Sequence, residues 1–418
     1  MATVPVVIES RPDDVPPESA AADVVAFLEH DQGRLLERAA TARPAEVGRA
    51  LAAGHRSLDD LATLLSPAAA DRLEDMAAGA HGITVRRFGR VVRMFAPLYL
   101  SNECASACTY CGFSAGNDIA RRTLTPEEAA LEARALAARG FRHVLLVSGE
   151  HARIVSRGYL AECVAAVAAE MPSVSMEVQV WDTPTYCQLV AVGCEGLVVY
   201  QETYDRHTYA TTHVRGKKRN YHWRLAAADR GAEAGMRHLG IGALLGLHDD
   251  WRADVLAVVA HARALVRRWW RCSVTVSVPR LRPAAGGYQP GRPVTDRELA
   301  QVICALRLVL PDVGISLSTR EPPGLRDGLL RLGVTAMSAG SHTEPGGYAA
   351  PSDAEPQFEV SDTRSPADVA AALAAAGYDP VWRDTIGARC ISGGAAPAGV
   401  PSLASSGRTV AGNLRPCL

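Results

Sequence analysis

Three cysteines with close and uneven spacing are the residues best able to do chemistry in this chain. Cys104, Cys108 and Cys111 form the pattern C-x3-C-x2-C. Protein iron–sulfur clusters are normally closed by four cysteines, so three thiolates leave one iron of a four-iron cluster open. An open coordination position is how a metal centre binds a reactant. Glycines at 112 and 116 keep the following residues from becoming helical at once. The sequence therefore predicts a [4Fe–4S] cluster on an irregular loop, with one iron free to bind a second molecule.

This spacing, with an aromatic residue before the last cysteine, resembles the signature of the radical S-adenosylmethionine (SAM) superfamily. The resemblance implies that SAM is the second cofactor, bound at the open iron and cleaved to a 5′-deoxyadenosyl radical, with Tyr110 among the cofactor contacts. The alternative from a different class is a non-catalytic zinc-binding scaffold. Such zinc sites pair two C-x2-C units or add closely spaced histidines, and the chain has no second C-x2-C.

Composition limits the class of partner and the compartment. The formal net charge of −1 gives no global field that favours nucleic acid or an anionic membrane. No apolar run approaches a membrane span, and the N-terminus lacks a basic segment followed by a hydrophobic one. Because unpaired thiols and an oxygen-sensitive cluster suit a reducing compartment, we expect a cytoplasmic protein with neither nucleic-acid nor membrane partners.

The basic residues are almost all arginine. Lys217 and Lys218 are the only lysines among 44 basic residues. Two interpretations stay open: chance survival in a GC-rich coding sequence, or a position that needs a compact ammonium group.

Strands and helices alternate from residue 94 onward. The predicted strands cover 94–101, 142–148, 174–180, 196–202, 238–245, 272–278, 313–319 and 334–338. Several are apolar throughout, as expected for parallel strands buried on both faces. Eight such units predict an α/β fold of the (β/α)8 TIM-barrel type, with working residues at the C-terminal ends of the strands. A six-stranded partial barrel is the alternative.

Four further segments flank the barrel, which is assigned to residues 94–345. Residues 1–20 are rich in Pro, Asp and Glu and are predicted to be disordered. Apolar residues at helical spacing predict a helical N-terminal segment over 21–93. Residues 346–385 are expected to extend the catalytic body, and the Gly, Ala, Ser and Pro of 386–418 to form a flexible tail.

The second predicted strand ends in Ser148-Gly149-Glu150. A glycine lets the backbone approach a neighbouring group closely, and a carboxylate accepts hydrogen bonds from an ammonium group. In radical SAM enzymes this position contacts the amino group of SAM, and the resemblance implies the same role here.

Later strands contribute further candidates for SAM contacts. Glu177 and Glu202 are charged residues in otherwise apolar strands, a placement that costs free energy unless they bind something. The ribose hydroxyls and methionine portion of SAM are candidate partners, and pairing with barrel arginines is an equally weighted alternative. Gly242 offers bare backbone suited to lying against the adenine ring.

Three arginines near the last strands are candidates for binding a substrate carboxylate. Arg320, Arg280 and Arg282 each carry a planar fork that matches a carboxylate, which suits recognition of an amino acid. Pairing with Glu202 or Glu321 is the alternative for each. Nothing in the sequence decides between them.

Longer runs make the resemblance more specific. The chain closely resembles the 2-iminoacetate synthase family over about residues 40–385, in the runs Pro97–Asn102, Cys108–Ser114, Tyr200–Tyr204, Val278–Pro283, Ser318–Glu321 and Gln357–Phe358. The resemblance implies cleavage of the Cα–Cβ bond of L-tyrosine to 2-iminoacetate and p-cresol. It also implies delivery of the imine to thiazole synthase for thiamine biosynthesis, and a reduced flavodoxin or ferredoxin as electron donor.

The same resemblance assigns the substrate contacts. It places Arg320 at the substrate carboxylate, with Tyr99 and Ser338 near the amine. Val180-Trp181-Asp182 departs from the family pattern where Pro-Leu is expected. A related radical SAM lyase that acts on tryptophan in secondary metabolism is therefore kept as the alternative.

Overall fold

A computed structural model describes residues 15–382, and these residues form eleven β-strands. The strands are β1 (Val91–Ser101), β2 (Ala107–Cys108), β3 (His143–Ser148), β4 (Ser173–Glu177), β5 (Cys194–Glu202), β6 (His213–Arg215), β7 (His238–Ala243), β8 (Ser273–Ser277), β9 (Gly314–Leu317), β10 (Ala336–Ser338) and β11 (Asp379–Val381).

Eight of these strands form a closed parallel barrel in the order β1-β3-β4-β5-β7-β8-β9-β10. β10 closes the barrel because it pairs with β9 on one side and with β1 on the other, where Ser338 lies opposite Phe95. The barrel strands are those predicted from the sequence, with ends that differ by a few residues. The predicted (β/α)8 fold is confirmed, and the six-stranded alternative is wrong.

Ten helices follow or lie between the barrel strands. They are α7 (Pro126–Ala138), α8 (Arg157–Glu170), α9 (Thr183–Ala191), α10 (Arg206–Thr212), α11 (Tyr221–Leu225), α12 (Ala227–Glu233), α13 (Trp251–Arg268), α14 (Asp296–Val309), α15 (Pro323–Leu329) and α16 (Pro366–Ala375). Short polar residues fix many of the starts: Thr125 and Thr295 each accept a hydrogen bond from the backbone N–H of a glutamate three residues later, which completes a capping box.

Six helices precede the barrel: α1 (Ala20–His30), α2 (Gln32–Thr41), α3 (Pro44–Ala52), α4 (Leu58–Leu64), α5 (Pro67–Ala70) and α6 (Leu73–Phe88). α1 is anchored by Asp229 of α12, whose carboxylate accepts hydrogen bonds from the backbone N–H groups of Ala20 and Ala21 at 2.9 and 3.1 Å. A carboxylate at a helix N-terminus satisfies otherwise unpaired donors and complements the helix dipole. The anchor therefore orients this helix against the barrel wall.

Three short strands lie outside the barrel and were not predicted. β2 and β6 form a two-stranded antiparallel sheet in which Ala107 pairs with Arg215. β11 pairs with the start of β1, where Val91 lies opposite Asp379. Segments of two or three residues are too short to show the alternation that reveals a strand in a sequence.

Residues 348–357 lie against the end of the barrel that carries the strand C-termini. Gln357 accepts a hydrogen bond from the hydroxyl of Tyr99 at 2.8 Å, and the Tyr348 hydroxyl donates to the backbone carbonyl of Pro97 at 2.6 Å. The chain then returns to the opposite end, where β11 pairs with the start of β1. The C-terminal segment thus contributes directly to the region where the working residues are expected.

The predictions of disorder at the two ends concern residues that are largely outside the described range. Residues 1–14 and 383–418 are not described, so these predictions are not tested. Within residues 15–382, no helix combines the length and apolar character needed to cross a bilayer.

A buried ion pair holds the C-terminal segment to the barrel. The guanidinium of Arg326 on α15 pairs with Asp362, and neither side chain is exposed to solvent. We expect Arg326→Ala to lower the free energy of unfolding by about 3–5 kcal/mol, because it leaves Asp362 buried with its charge only partly compensated. Urea unfolding measures this loss. Arg331→Ala, at an exposed position on the next turn, is the matched control and should change stability little; equal stability of the two variants would contradict the assignment.

Candidate active site

The cysteine loop follows directly from the C-terminal end of β1. Cys108 is buried, Cys104 and Cys111 are half-buried, and all three are free thiols. Cys111 packs against Tyr110 on one side and against Tyr99 and Phe113 on the other. Burial, reinforced by Glu150, raises the pKa of Cys104 to about 11. The thiols therefore need a bound metal, which favours the thiolate form, in order to act as ligands.

The arrangement suits a cluster better than a single ion. In the part of the chain that the structure describes, no group of three or more His, Cys, Asp or Glu side chains is gathered closely enough to hold one metal ion. A cubane cluster does not require its cysteines to meet at one point, because each thiolate binds a separate iron. Beside the loop, the Ser148 hydroxyl is buried and has no hydrogen-bond partner among the described residues, so it is available to a bound group.

Gly149 explains how β3 and the cysteine loop come together. A Cβ atom at this position would lie 2.3 Å from the carbonyl oxygen of Glu103 and 3.1 Å from the Cβ of Cys104. The next residue, Glu150, donates its backbone N–H to the Cys104 sulfur at 3.4 Å and accepts from Ala105 N–H through its carbonyl at 2.8 Å. The glycine predicted to approach SAM thus lets the backbone approach the cysteine loop itself.

A buried network of four charges surrounds the loop on its other side. Lys218 Nζ donates to Glu202 Oε1 at 2.7 Å, and the Arg224 guanidinium donates to Glu150 Oε1 at 3.0 Å while lying 3.8 Å from Glu202. Burial alone would raise the pKa of Glu202, but Lys218 and Arg224 outweigh it and hold that pKa below its ordinary value. Lys218 is therefore the ammonium partner of Glu202, a contact that is consistent with the second interpretation of the lysine pair.

Glu202 also has an unusual backbone conformation. Its φ of 71° makes it the only non-glycine residue with positive φ between residues 15 and 382. Such a conformation is uncommon for a residue with a Cβ and costs about 1–3 kcal/mol unless the surroundings impose it. The ion pairs to Lys218 and Arg224 and a hydrogen bond from Leu244 N–H to the Glu202 carbonyl at 2.7 Å provide that constraint.

Tyr110 is held in place by a neutral histidine. Its hydroxyl lies 2.9 Å from His213 Nε2, and His213 Nδ1 lies 2.8 Å from the carbonyl oxygen of Tyr209. Burial and the nearby Lys218 place the pKa of His213 well below its ordinary value, so the ring is neutral. Because Nδ1 must then donate to the carbonyl, Nε2 accepts from the Tyr110 hydroxyl.

Beside the cluster loop lies a cavity with an empty volume of about 490 Å³. Residues from several strand ends and from the C-terminal segment line it, namely Tyr110, Cys111, Glu177, Tyr200, Glu202, Lys218, Leu244, Pro279, Leu281, Arg282, Arg320, Gln357 and Phe358. The cavity therefore brings together one cysteine of the loop, two carboxyl groups and three basic side chains.

The three competing arginines differ in how far their charges are neutralised. Arg280 pairs with Glu321 and Asp296, and Arg282 pairs with Glu321 at 3.0 Å. Arg320 forms no ion pair or hydrogen bond among the described residues, and its guanidinium stacks 3.4 Å from the centre of the Phe358 ring. Burial lowers the pKa of Arg320, which reflects the cost of an uncompensated charge at this site.

Glu177 is the unpaired carboxyl of the cavity. No described residue forms a hydrogen bond or an ion pair with it, whereas Glu202 on the next strand is held by two cations. Burial, reinforced by Glu202, raises the pKa of Glu177 to about 7. A large fraction of this side chain is therefore neutral near pH 7 and able both to donate and to accept hydrogen bonds.

Three predicted site residues lie close to the cavity without lining it. The Tyr99 hydroxyl donates a hydrogen bond to the Gln357 side chain, and the Ser338 hydroxyl accepts a hydrogen bond from Thr319 N–H at 3.2 Å. A Cβ on Gly242 would lie 2.8 Å from the Tyr200 ring, so that ring covers the glycine expected to meet adenine.

Sequence reasoning gave no role to several residues of the site. Nothing in the sequence indicated a role for Arg224, because it is one of many arginines in segments with helical periodicity. Only the rarity of lysine in the sequence indicated a role for Lys218. Gln357 and Phe358 were visible only through the family resemblance, since nothing local ties them to the strand ends.

Comparison with known proteins first defines the class. Residues 98–259 match the family model of the Radical SAM superfamily, and residues 277–379 match that of the Biotin and Thiamin Synthesis associated domain. A crystal structure of HydG, a maturase of the [FeFe]-hydrogenase, superimposes with a TM-score of 0.80 at 31% identity, covering 85% of this chain and 81% of that chain. The fold and the cysteine loop define a radical SAM enzyme.

Two relatives then identify the family. The 2-iminoacetate synthases of Salmonella typhimurium and Escherichia coli are each 45% identical over 357 residues, which cover 85% of this chain and 94% of each relative. The chain belongs to the 2-iminoacetate synthase family. It is a radical SAM lyase whose cofactors are a [4Fe–4S] cluster and SAM. The non-catalytic zinc scaffold is wrong.

The contact between Gly149 and the cysteine loop is testable through cluster content. We expect Gly149→Ala to lose most of its iron and visible absorption after anaerobic reconstitution, because the new methyl group overlaps the Glu103 carbonyl and displaces Cys104. Iron and sulfide analysis of the purified variant measures this effect. Gly158→Ala, on the exposed surface of α8 with no close neighbour, is the control and should keep a full cluster. A full cluster in both variants would rule out this role for Gly149.

Proposed function

We propose that L-tyrosine is the substrate of this lyase and that cleavage of its Cα–Cβ bond gives 2-iminoacetate and p-cresol, with 5′-deoxyadenosine and methionine formed from SAM. The observation that carries the proposal is the unpaired guanidinium of Arg320 in a cavity that also contains Cys111. An amino acid carboxylate is the group that would complement this fork. The family name of the relatives supports 2-iminoacetate as the product.

Neighbouring residues support Arg320 rather than the other two arginines. Glu321 already compensates Arg280 and Arg282, so a substrate carboxylate would have to compete with a buried ion pair there. The Phe358 ring fixes the plane of the Arg320 guanidinium from one face. A fork held in one orientation loses less entropy when it binds a carboxylate in a bidentate manner.

The remaining roles follow the geometry of the site. When bound, the cluster and SAM would supply the radical chemistry of the reaction. Cys104, Cys108 and Cys111 would hold the cluster, and the unpaired Glu177 is the better candidate for the ribose hydroxyls because Glu202 is already paired. Tyr110 would lie beside SAM, as its position against Cys111 supports.

The ammonium and backbone contacts of the ligands are also proposals. Ser148, Gly149 and Glu150 would form the edge that meets the SAM amino group, with the free Ser148 hydroxyl oxygen as an acceptor. Ser338 keeps a second lone pair for the N–H of the substrate amine, and Tyr99 would reach the amine through its contact with Gln357. Enclosure of the cavity by the C-terminal segment excludes water, which protects a radical from side reactions.

Two protein partners complete the proposal. The imine would pass to thiazole synthase, which the match of residues 277–379 to a domain named for biotin and thiamin synthesis supports. A reduced flavodoxin or ferredoxin would supply electrons.

The substrate is settled by an anaerobic assay of reconstituted enzyme with SAM, dithionite and either tyrosine or tryptophan, with products measured by mass spectrometry. We expect p-cresol, glyoxylate from hydrolysis of the imine, and 5′-deoxyadenosine with tyrosine alone. An indolic product from tryptophan and no p-cresol from tyrosine would overturn the substrate assignment while leaving the enzyme class intact.

The role of Arg320 is tested by substitution. We expect Arg320→Ala to raise the KM for tyrosine about 100-fold, the loss of about 3 kcal/mol expected for charge-assisted hydrogen bonds to a carboxylate. Arg320→Lys should recover part of this loss, and the visible spectrum of the cluster should stay unchanged in both. Arg282→Ala serves as comparison, and a KM that rises with that variant but not with Arg320→Ala would transfer the role to Arg282.

A further inference from the structure

The cysteine loop lies between two surface segments. On one side, residues 150–156 follow β3 and hold the loop through the hydrogen bond from Ala105 N–H to the Glu150 carbonyl. On the other side, β6 pairs with β2, and Thr109 N–H donates to the Thr212 carbonyl at 2.9 Å. Both segments therefore contact the cysteine loop directly.

Both segments expose an apolar side chain flanked by cations. Val214 is 55% exposed and Ile154 is 38% exposed, and large hydrophobic residues with that exposure are few between residues 15 and 382. The exposed side chains of Arg153, Arg215 and Lys217 are their neighbours in sequence. We name these five residues the basic collar.

The charges of the collar are not compensated. Arg153, Arg215 and Lys217 form no ion pair with any described residue, and Lys217 contacts only the face of Trp181, at 5.9 Å. The Glu150 carboxylate, at the start of residues 150–156, is paired with Arg224. The collar is therefore a locally positive surface in a chain whose formal net charge is −1.

Several exposed arginines elsewhere on the surface are paired. Arg134 pairs with Glu170 at 2.7 Å, Arg206 with Glu29 at 3.3 Å and Arg87 with Asp312 at 3.3 Å. Unpaired cations around exposed apolar side chains are what a transient interface with an acidic protein requires, because complementary charge steers the encounter and a small apolar contact completes it.

We propose that the basic collar is the docking surface for an acidic one-electron donor protein that reduces the cluster. The proposal rests on the proposed function, which needs electrons from outside. One electron cleaves SAM to methionine and the radical that takes hydrogen from tyrosine. A second electron and a proton convert the released cresolyl radical to p-cresol. The segments that carry the collar are hydrogen-bonded directly to the cysteine loop, so a donor bound to the collar would lie next to segments that contact the loop.

The test compares two reductants on one variant. Arg215→Glu/Lys217→Glu reverses two charges of the collar without changing a residue of the cavity. We expect it to lower the rate of cluster reduction by reduced flavodoxin about tenfold at low ionic strength, measured as bleaching of the cluster absorption in a stopped-flow instrument. Turnover of tyrosine driven by dithionite should equal that of the unmodified enzyme, because a small reductant needs no docking surface.

A matched variant separates local from general charge effects. Arg268→Glu/Arg271→Glu changes the net charge by the same amount in the connection between α13 and β8, at the opposite end of the barrel. This control should reduce at the rate of the unmodified enzyme. Added salt should slow flavodoxin-driven reduction in the unmodified enzyme and leave the collar variant nearly unaffected.

The outcomes distinguish this inference from the proposed function. Equal slowing of both charge variants, or no slowing of the collar variant, would overturn the docking surface. A wild-type enzyme that is reduced by flavodoxin through the collar but forms no p-cresol from tyrosine would overturn the substrate and leave the docking surface standing.

Discussion

The active site depends on a buried set of opposite charges that holds the cysteine loop against the barrel. Lys218 and Arg224 both lie near Glu202, and Arg224 also binds Glu150, whose backbone contacts Cys104 and Ala105. Buried charges are stable only when they are paired in good geometry, so these side chains fix one another's positions. The loop therefore has a defined place before any ligand adds its own contacts, and the strained backbone of Glu202 is maintained by the same pairs.

The part of the cavity that contains Arg320 and Glu177 differs from this network. Arg320 is stacked on Phe358 without a carboxylate, and Glu177 has no cation of its own among the described residues. Some charges around the cavity are thus paired within the protein, whereas these two have no described protein partner. The pair formed by Arg280 and Glu321 belongs to the first group, although Glu321 directly follows Arg320 in the sequence.

The barrel and the cluster loop could be predicted from the sequence because their signals are local. Eight apolar runs separated by helical patterns specify the barrel, and three cysteines within eight residues specify the loop. The partners of charged residues could not be predicted, since pairing depends on side-chain directions across different strands. Arg224 and Lys218 reach Glu202 from the segment after β6, and Gln357 reaches Tyr99 from 258 residues away. The position of Gly242 beneath Tyr200 could not be predicted for a similar reason. A glycine in the sequence indicates that some group can approach the backbone closely, but not which group does so.

The contact between the cysteine loop and the C-terminal segment has a consequence for biosynthesis. Gly112 donates its backbone N–H to the Gln357 carbonyl at 3.1 Å, and a Cβ at Gly112 would lie 2.5 Å from that oxygen. The wall that covers Cys111 is therefore made by residues translated long after the cysteines themselves. A nascent chain that has completed only the barrel strands still exposes its thiols to solvent and oxygen. The cysteine loop reaches its described packing only after the segment around Gln357 has been synthesised and has folded against it.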